Sequence, residues 1–182
     1  MNAWSLPKSA IIGGVEYPIN TDYRDVLEII RYLNDETKTL YTRWKIAISL
    51  FYDGDIPEKH EELAAKFLIN FISCGKQDDK PGPKLIDWEQ DAMLIVTDIN
   101  KVAGKEIRAE SYLHWWTFIS YFSGIGEGQL STVVSIRSKK AKGKKLEKWE
   151  QDYYREHKAE VDFQCVESSE KAKIQEYFSK WL

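Results

Sequence analysis

The run Tyr112-Leu113-His114-Trp115-Trp116-Thr117-Phe118-Ile119-Ser120-Tyr121-Phe122 is apolar nearly all the way round a helix. Such a helix has no face to give to water, so it must lie at the centre of a fold or be shared with a partner. The segments around it carry the complementary pattern, apolar on one side only and at a period near 3.6 residues. Thr21 and Asp22 can cap a helix with Tyr23, Val26, Leu27, Ile30 and Leu33 on one face. Leu40, Trp44, Ala47, Ile48 and Phe51 mark a second. A third, with Pro57 in its first turn, carries Ala64, Phe67, Leu68, Phe71 and Ile72.

Asp87 and Gln90 resemble a capping box and open a helix with Trp88, Ala92, Ile95, Ile99 and Val102 on its stripe. Gly124, Gly126 and Gly128 break the chain after the central helix. Leu130, Val133 and Val134 then predict a short helix, and Leu146, Trp149 and Tyr153 another. A last one, capped by Ser168 or Ser169, carries Ile174, Tyr177, Phe178 and Trp181. Near the front, Gly13-Gly14 separates two short apolar arms, the pattern of a two-residue hairpin turn. Pro18 confines the second arm to an edge or a strand end. The expected fold class is mostly α, with about seven or eight helices and a small N-terminal β-hairpin. KQDDKPGPK, from Lys76, has no apolar residue and two prolines. It predicts a linker over 76–86 between an N-terminal part, 1–75, and a C-terminal helical part, 87–182, which are expected to pack as one domain.

Aromatic residues reach 13%, with 7 Trp, 10 Tyr and 7 Phe, which implies a bulky core, adhesive partner surfaces, or both. The net charge of −3 gives no global footprint for nucleic acid. The average hides one bias. Residues 137–148 hold seven basic side chains and one acid, a net of +6, so the rest of the chain carries −9. The start lacks a signal peptide's basic and apolar regions, and no apolar run approaches the roughly 20 residues of a membrane-spanning helix. Cys74 and Cys165 stand far apart outside any CxxC pattern, which favours free thiols in a cytosolic chain.

The catalytic inventory is thin. His60, His114 and His157 show no ligand spacing, and Asp53-Gly54-Asp55 fails the calcium-loop pattern, so no metal and no cofactor is expected. Nothing nominates a base for Cys74. Gly124-Ile125-Gly126-Glu127-Gly128 follows a helix, lacks the Lys-Ser/Thr of a phosphate loop and contains an acid, so it reads as a hinge. No enzyme is expected. Two surfaces are candidates for binding. One is aromatic: Trp115, Trp116 and Phe122 on the central helix, with Tyr177, Phe178 and Trp181 on the last. The other is cationic: Arg137, Lys139, Lys140, Lys142, Lys144 and Lys145, which could neutralise phosphates beside Trp149, Tyr153 and Tyr154. Against these stand two plainer readings, a packed aromatic core and a solvated lysine loop.

Laid end to end, the second half runs Asp87-Trp88-Glu89-Gln90-Asp91-Ala92, Leu113-His114-Trp115-Trp116-Thr117-Phe118, then Leu130-Ser131-Thr132-Val133-Val134-Ser135-Ile136-Arg137 before the lysines. With Ile12-Gly13-Gly14-Val15-Glu16-Tyr17-Pro18-Ile19 and Thr21-Asp22-Tyr23-Arg24, this series resembles the bacteriophage gp-fifteen family of siphophages infecting Gram-positive hosts. The resemblance covers about residues 10–160. Genes of that family lie between those for the major tail protein and the tape measure protein. The resemblance implies a tail assembly chaperone that binds the helical tape measure protein, and itself, in the host cytoplasm and is absent from the mature virion. It carries no assigned catalytic residues. The alternatives are a nucleic-acid-binding or host-modulating phage protein using residues 137–148, or a subunit kept in the virion. No membrane partner is expected.

Overall fold

The computed structural model describes residues 4–76 and 82–164. Among these it contains eight α-helices and one two-stranded antiparallel hairpin, the mostly helical class that the periodicity requires. The chain forms two compact units that interleave along the sequence, Met1–Gly82 with Val96–Gly126, and Pro83–Ile95 with Glu127–Leu182. The helix expected around Ile174 to Trp181 lies outside the described residues.

The first unit opens with β1, Ser9–Ile12, and β2, Val15–Pro18, paired with Ile12 opposite Val15 and Ser9 opposite Pro18. Gly13 and Gly14 form the turn with φ of 59° and 86°, values that suit glycine and few other residues. Gly13 has a second reason to be glycine: a Cβ there would meet the His60 ring at 2.1 Å. On β1 the side chains alternate, Ala10 and Ile12 inward and Ile11 outward. The Pro18 carbonyl, at the strand end, accepts from Asp53 N–H at 3.0 Å.

Helix α1, Tyr23–Leu33, is capped by Asp22, whose side chain accepts from Arg24 N–H at 2.9 Å. Its buried residues are Tyr23, Val26 and Ile29. Leu27 and Ile30, which the spacing places at the centre of the stripe, are only half-buried. The face is turned because α1 packs on two helices, α2 and α5, not one. Helix α2, Leu40–Phe51, is capped by Thr39 and buries Ala47, Ile48 and Phe51, while Leu40 is exposed. A single 3-10 turn, Glu58–His60, leads into α3, Glu61–Ile72, which buries Ala64, Leu68 and Phe71. Pro57 therefore precedes that turn and stands outside the helix. Burying each of the larger of these side chains stabilises the fold by about 1.5–3 kcal/mol.

Helix α4, Ala92–Ala103, starts later than the capping pattern suggests, because residues 88–91 form turns. Ile95 and Ile99 are buried and Val102 is exposed. Helix α5, Trp115–Ser123, is the short, apolar central helix of the first unit. An antiparallel bridge ties its start to the start of α1: Tyr23 N–H donates to Leu113 O at 2.9 Å and Trp115 N–H to Thr21 O at 2.7 Å. Asp22 adds a bond from Leu113 N–H at 2.9 Å.

In the second unit, α6, Gln129–Ala141, begins at Gly128, whose N–H donates to the Ser131 hydroxyl at 2.9 Å. Helix α7 spans Lys148–Glu156 and α8 spans Lys158–Val161. Val133, Ile136 and Val161 are the centre of its core, with Leu94, Leu146, Tyr153 and Tyr154 packed around them.

Candidate functional site

The aromatic candidates Trp115 and Trp116 are 1% and 9% exposed. Each also spends its polar end inside the first unit. Trp115 Nε1 donates to Ile72 O at 2.9 Å and Trp116 Nε1 to Phe71 O at 3.0 Å. These are carbonyls of the last turn of α3, where the regular bonds of the helix run out, although Phe71 O also takes the Cys74 N–H. Trp115 stacks on Phe118 and Trp116 lies against Phe71. The two indoles thus fasten α5 to the end of α3. Phe122 is half-buried, and Tyr177, Phe178 and Trp181 lie outside the described residues.

His114 is buried and caps α5, its Nδ1 accepting from Trp116 N–H at 3.0 Å. That bond leaves the proton on Nε2, which faces Pro7 O at 3.0 Å. Burial holds the imidazole below its usual pKa, against the pull of the Pro7 carbonyl. His60 packs on the Gly13 turn and His157 stacks on Tyr153. Among the described residues no group of three or more His, Cys, Asp or Glu is placed to hold a metal ion. None of their helices is long and apolar enough to cross a membrane.

A concavity of ≈ 660 Å³ in the first unit is lined by Cys74, Lys76, Trp116, Ile119 and Ser120, among others. Cys74 adopts φ 53° and, with Gly75, closes α3: Cys74 N–H donates to Phe71 O at 3.0 Å and Gly75 N–H to Asn70 O at 2.8 Å. Burial pushes the Cys74 thiol up. No imidazole lines this concavity, and Lys76 is the one titratable amine on its lining.

The basic segment divides into two parts with different fates. Arg137 lies on the buried side of α6 with Leu130, Val133 and Ile136. Its guanidinium pairs with buried Asp91 through two bonds of 2.6 and 2.9 Å. Nε donates to Val161 O at 2.7 Å, and the remaining N–H groups reach Leu85 O at 3.0 Å and Glu160 O at 2.7 Å. The Phe163 ring lies 4.1 Å from the guanidinium carbon. With every donor engaged, no N–H of Arg137, one of the cations expected to meet a polyanion, is left over for a phosphate. Lys139 donates to Glu150 at 2.7 Å, and this bond holds the Glu150 carboxyl below its usual range. Lys140 sits 3.8 Å from the Tyr154 ring centre and bonds to Asp162. Burial works most strongly against its charge, but the bonds to Asp162 and Tyr154 together outweigh it and the pKa is raised. Lys142, Lys144 and Lys145 are exposed and form no ion pair among the described residues.

Sequence reasoning missed the roles of Asp91 and His114 and gave Gln90 a cap that Asp91 supplies. Asp91 Oδ2 takes the Asp87 N–H at 2.9 Å, the bond a capping box would assign to Gln90. Gln90 instead donates to Asp162 O at 2.9 Å and accepts from Gln164 N–H at 3.0 Å. One signal for Arg137 was present: its spacing from Leu130 and Val133 puts it on their side of the helix.

A second concavity, of ≈ 450 Å³, runs along the other side of α6. Its lining includes Leu85, Val134, Ser135, Ser138, Lys142 and Lys144. No curated protein and no solved structure matches the chain. The family model described as Bacteriophage Gp15 protein matches residues 4–163, nearly the whole length. A chain matched over that span belongs to the bacteriophage Gp15 protein family.

Proposed function

We propose that this chain is a tail assembly chaperone that binds the phage tape measure protein and itself, acts in the host cytoplasm and does not stay in the mature virion. Family membership makes it a phage structural or morphogenesis-related protein; the chaperone role and the client are our reading. The observation that carries this reading is how the buried reactive groups are used. His114 caps a helix, Arg137 and Asp91 brace the second unit, and the Cys74 thiol has no imidazole beside it in its concavity. Such a molecule works by contact, not by chemistry, and we read it as no enzyme. The nucleic-acid alternative is weakened because Arg137, Lys139 and Lys140 already hold internal acids.

Co-expression with the tape measure protein of the same genome tests the reading. The expected result is a soluble tape measure that co-purifies with this chain, and a self-associated species in sedimentation. An insoluble, unbound tape measure refutes it. A nucleic-acid complex weakening steeply with salt, by a slope of about −0.9 per neutralised phosphate, would favour the alternative.

A further inference from the structure

We infer that the groove along α6 receives an acidic helix of a protein partner, with that helix's carboxylates over Lys142 and Lys144. Three observations converge on this face. The lining carries Lys139, Lys142 and Lys144 and no carboxylate, so its uncompensated charge is positive. Lys139 is neutralised by Glu150, which leaves the attraction concentrated at the end formed by Lys142 and Lys144. The floor is small or apolar: Leu85 and Val134 with Ser135 and Ser138, half-buried hydroxyls that make no side-chain hydrogen bond among the described residues. Small side chains at helical spacing let a second helix approach closely, and an apolar floor gives it area to bury.

Charge complementarity fixes the chemistry of the occupant. Acidic residues are best tolerated in a helix's first turn. A partner helix lying antiparallel to α6 puts that turn over the lysine end and its small or apolar side on Val134 and Leu85. A nucleic-acid strand fits the same face poorly, because no aromatic residue lines it for base stacking and the one arginine of α6 is buried against Asp91. The inference rests on reading the chain as a binding protein, but not on the identity of its client.

The test uses fluorescein-labelled alanine-rich peptides of about 20 residues, long enough to be helical, one with Glu and one with Lys in the first turn. Both are titrated by anisotropy against the full chain at low salt, beside a labelled oligothymidylate. Sedimentation without peptide runs in parallel. The acidic peptide should bind and the basic one should not. Lys142→Glu with Lys144→Glu should weaken binding about tenfold or more, and Ser135→Phe should weaken it by filling the groove. Lys145→Glu with Lys148→Glu makes the same change of charge outside the lining and should cost less than about threefold. Equal losses from the two pairs would overturn the inference, since bulk attraction would then suffice. So would tighter, lysine-dependent binding of the oligothymidylate, or self-association abolished by the 142/144 pair alone, which would give the face to a second copy. Tape measure co-purification is scored separately, so failure here and failure of the proposed function are distinguishable.

Discussion

Replacing Arg137 by Met keeps much of the side chain's length while deleting its charge and all its N–H groups. What it leaves behind sets the cost. Asp91, 1% exposed, keeps its negative charge and loses both guanidinium bonds, retaining the Asp87 N–H. The carbonyls of Leu85, Glu160 and Val161 lose their guanidinium donors at the same time. Breaking a buried pair from one side typically costs about 3–5 kcal/mol, since an uncompensated charge remains in the interior. The same change therefore lowers the urea midpoint of the full chain by a corresponding amount, with loss of the near-ultraviolet signal of the second unit. Removing both charges, Arg137→Met with Asp91→Leu, should cost less than the sum of the two single changes by about 1–3 kcal/mol. Equilibrium urea unfolding of the three variants measures this. A single Arg137→Met within 1 kcal/mol of the parent, or a double variant that is merely additive, would refute the account of Arg137 as a brace.

Three further outcomes follow from the geometry. Because burial lowers the His114 pKa, the unfolded chain binds a proton more readily than the native one below its own pKa near 6.5. Unfolding free energy should therefore fall as pH drops through that window, and a melting-temperature profile for His114→Asn, which can still cap, should be flatter there. Gly13→Ala should destabilise more than Gly14→Ala: both positions have positive φ, but only at Gly13 does the new Cβ strike the His60 ring. Thermal melts of the two variants decide it, and an equal loss counts against the His60 contact. The Tyr153 hydroxyl is buried near the side chains of Gln129 and Glu160 but makes no hydrogen bond of good geometry among the described residues. Tyr153→Phe should thus be neutral or stabilising by up to about 1 kcal/mol in urea unfolding, and a clear loss would show that the hydroxyl has a partner.

The parts of this fold that were legible in the sequence are those governed by local rules. Gly13-Gly14 announces the hairpin because few other residues adopt the turn's backbone. The stripe Ala64, Leu68 and Phe71 follows from helix geometry alone. Where two neighbours compete for one helix, periodicity loses resolution, and Ile29 replaces Leu27 and Ile30 at the centre of α1's buried face. The all-round apolarity of the aromatic run announces a helix that is buried or shared, and Trp115, Trp116 and Phe118 are buried, yet nothing local indicates that the two indoles finish α3. The basic segment shows the limit most clearly. Its charge is visible to any count, but Arg137 is sorted from Lys142 by a carboxylate 46 positions earlier in the chain. Long-range pairing of this kind leaves no periodic trace.

The interleaving of the two units has a consequence for synthesis. Residues 83–95 leave the ribosome before the rest of their own unit exists, and Asp91 precedes Arg137 by 46 residues. At about 5–20 residues per second, that carboxylate waits roughly 2–9 s for its cation. Meanwhile α1 to α3 are already made, but they lack α5 and its indoles. The nascent chain therefore presents unfinished apolar surface during translation, and the order of emergence places completion of the first unit ahead of the second.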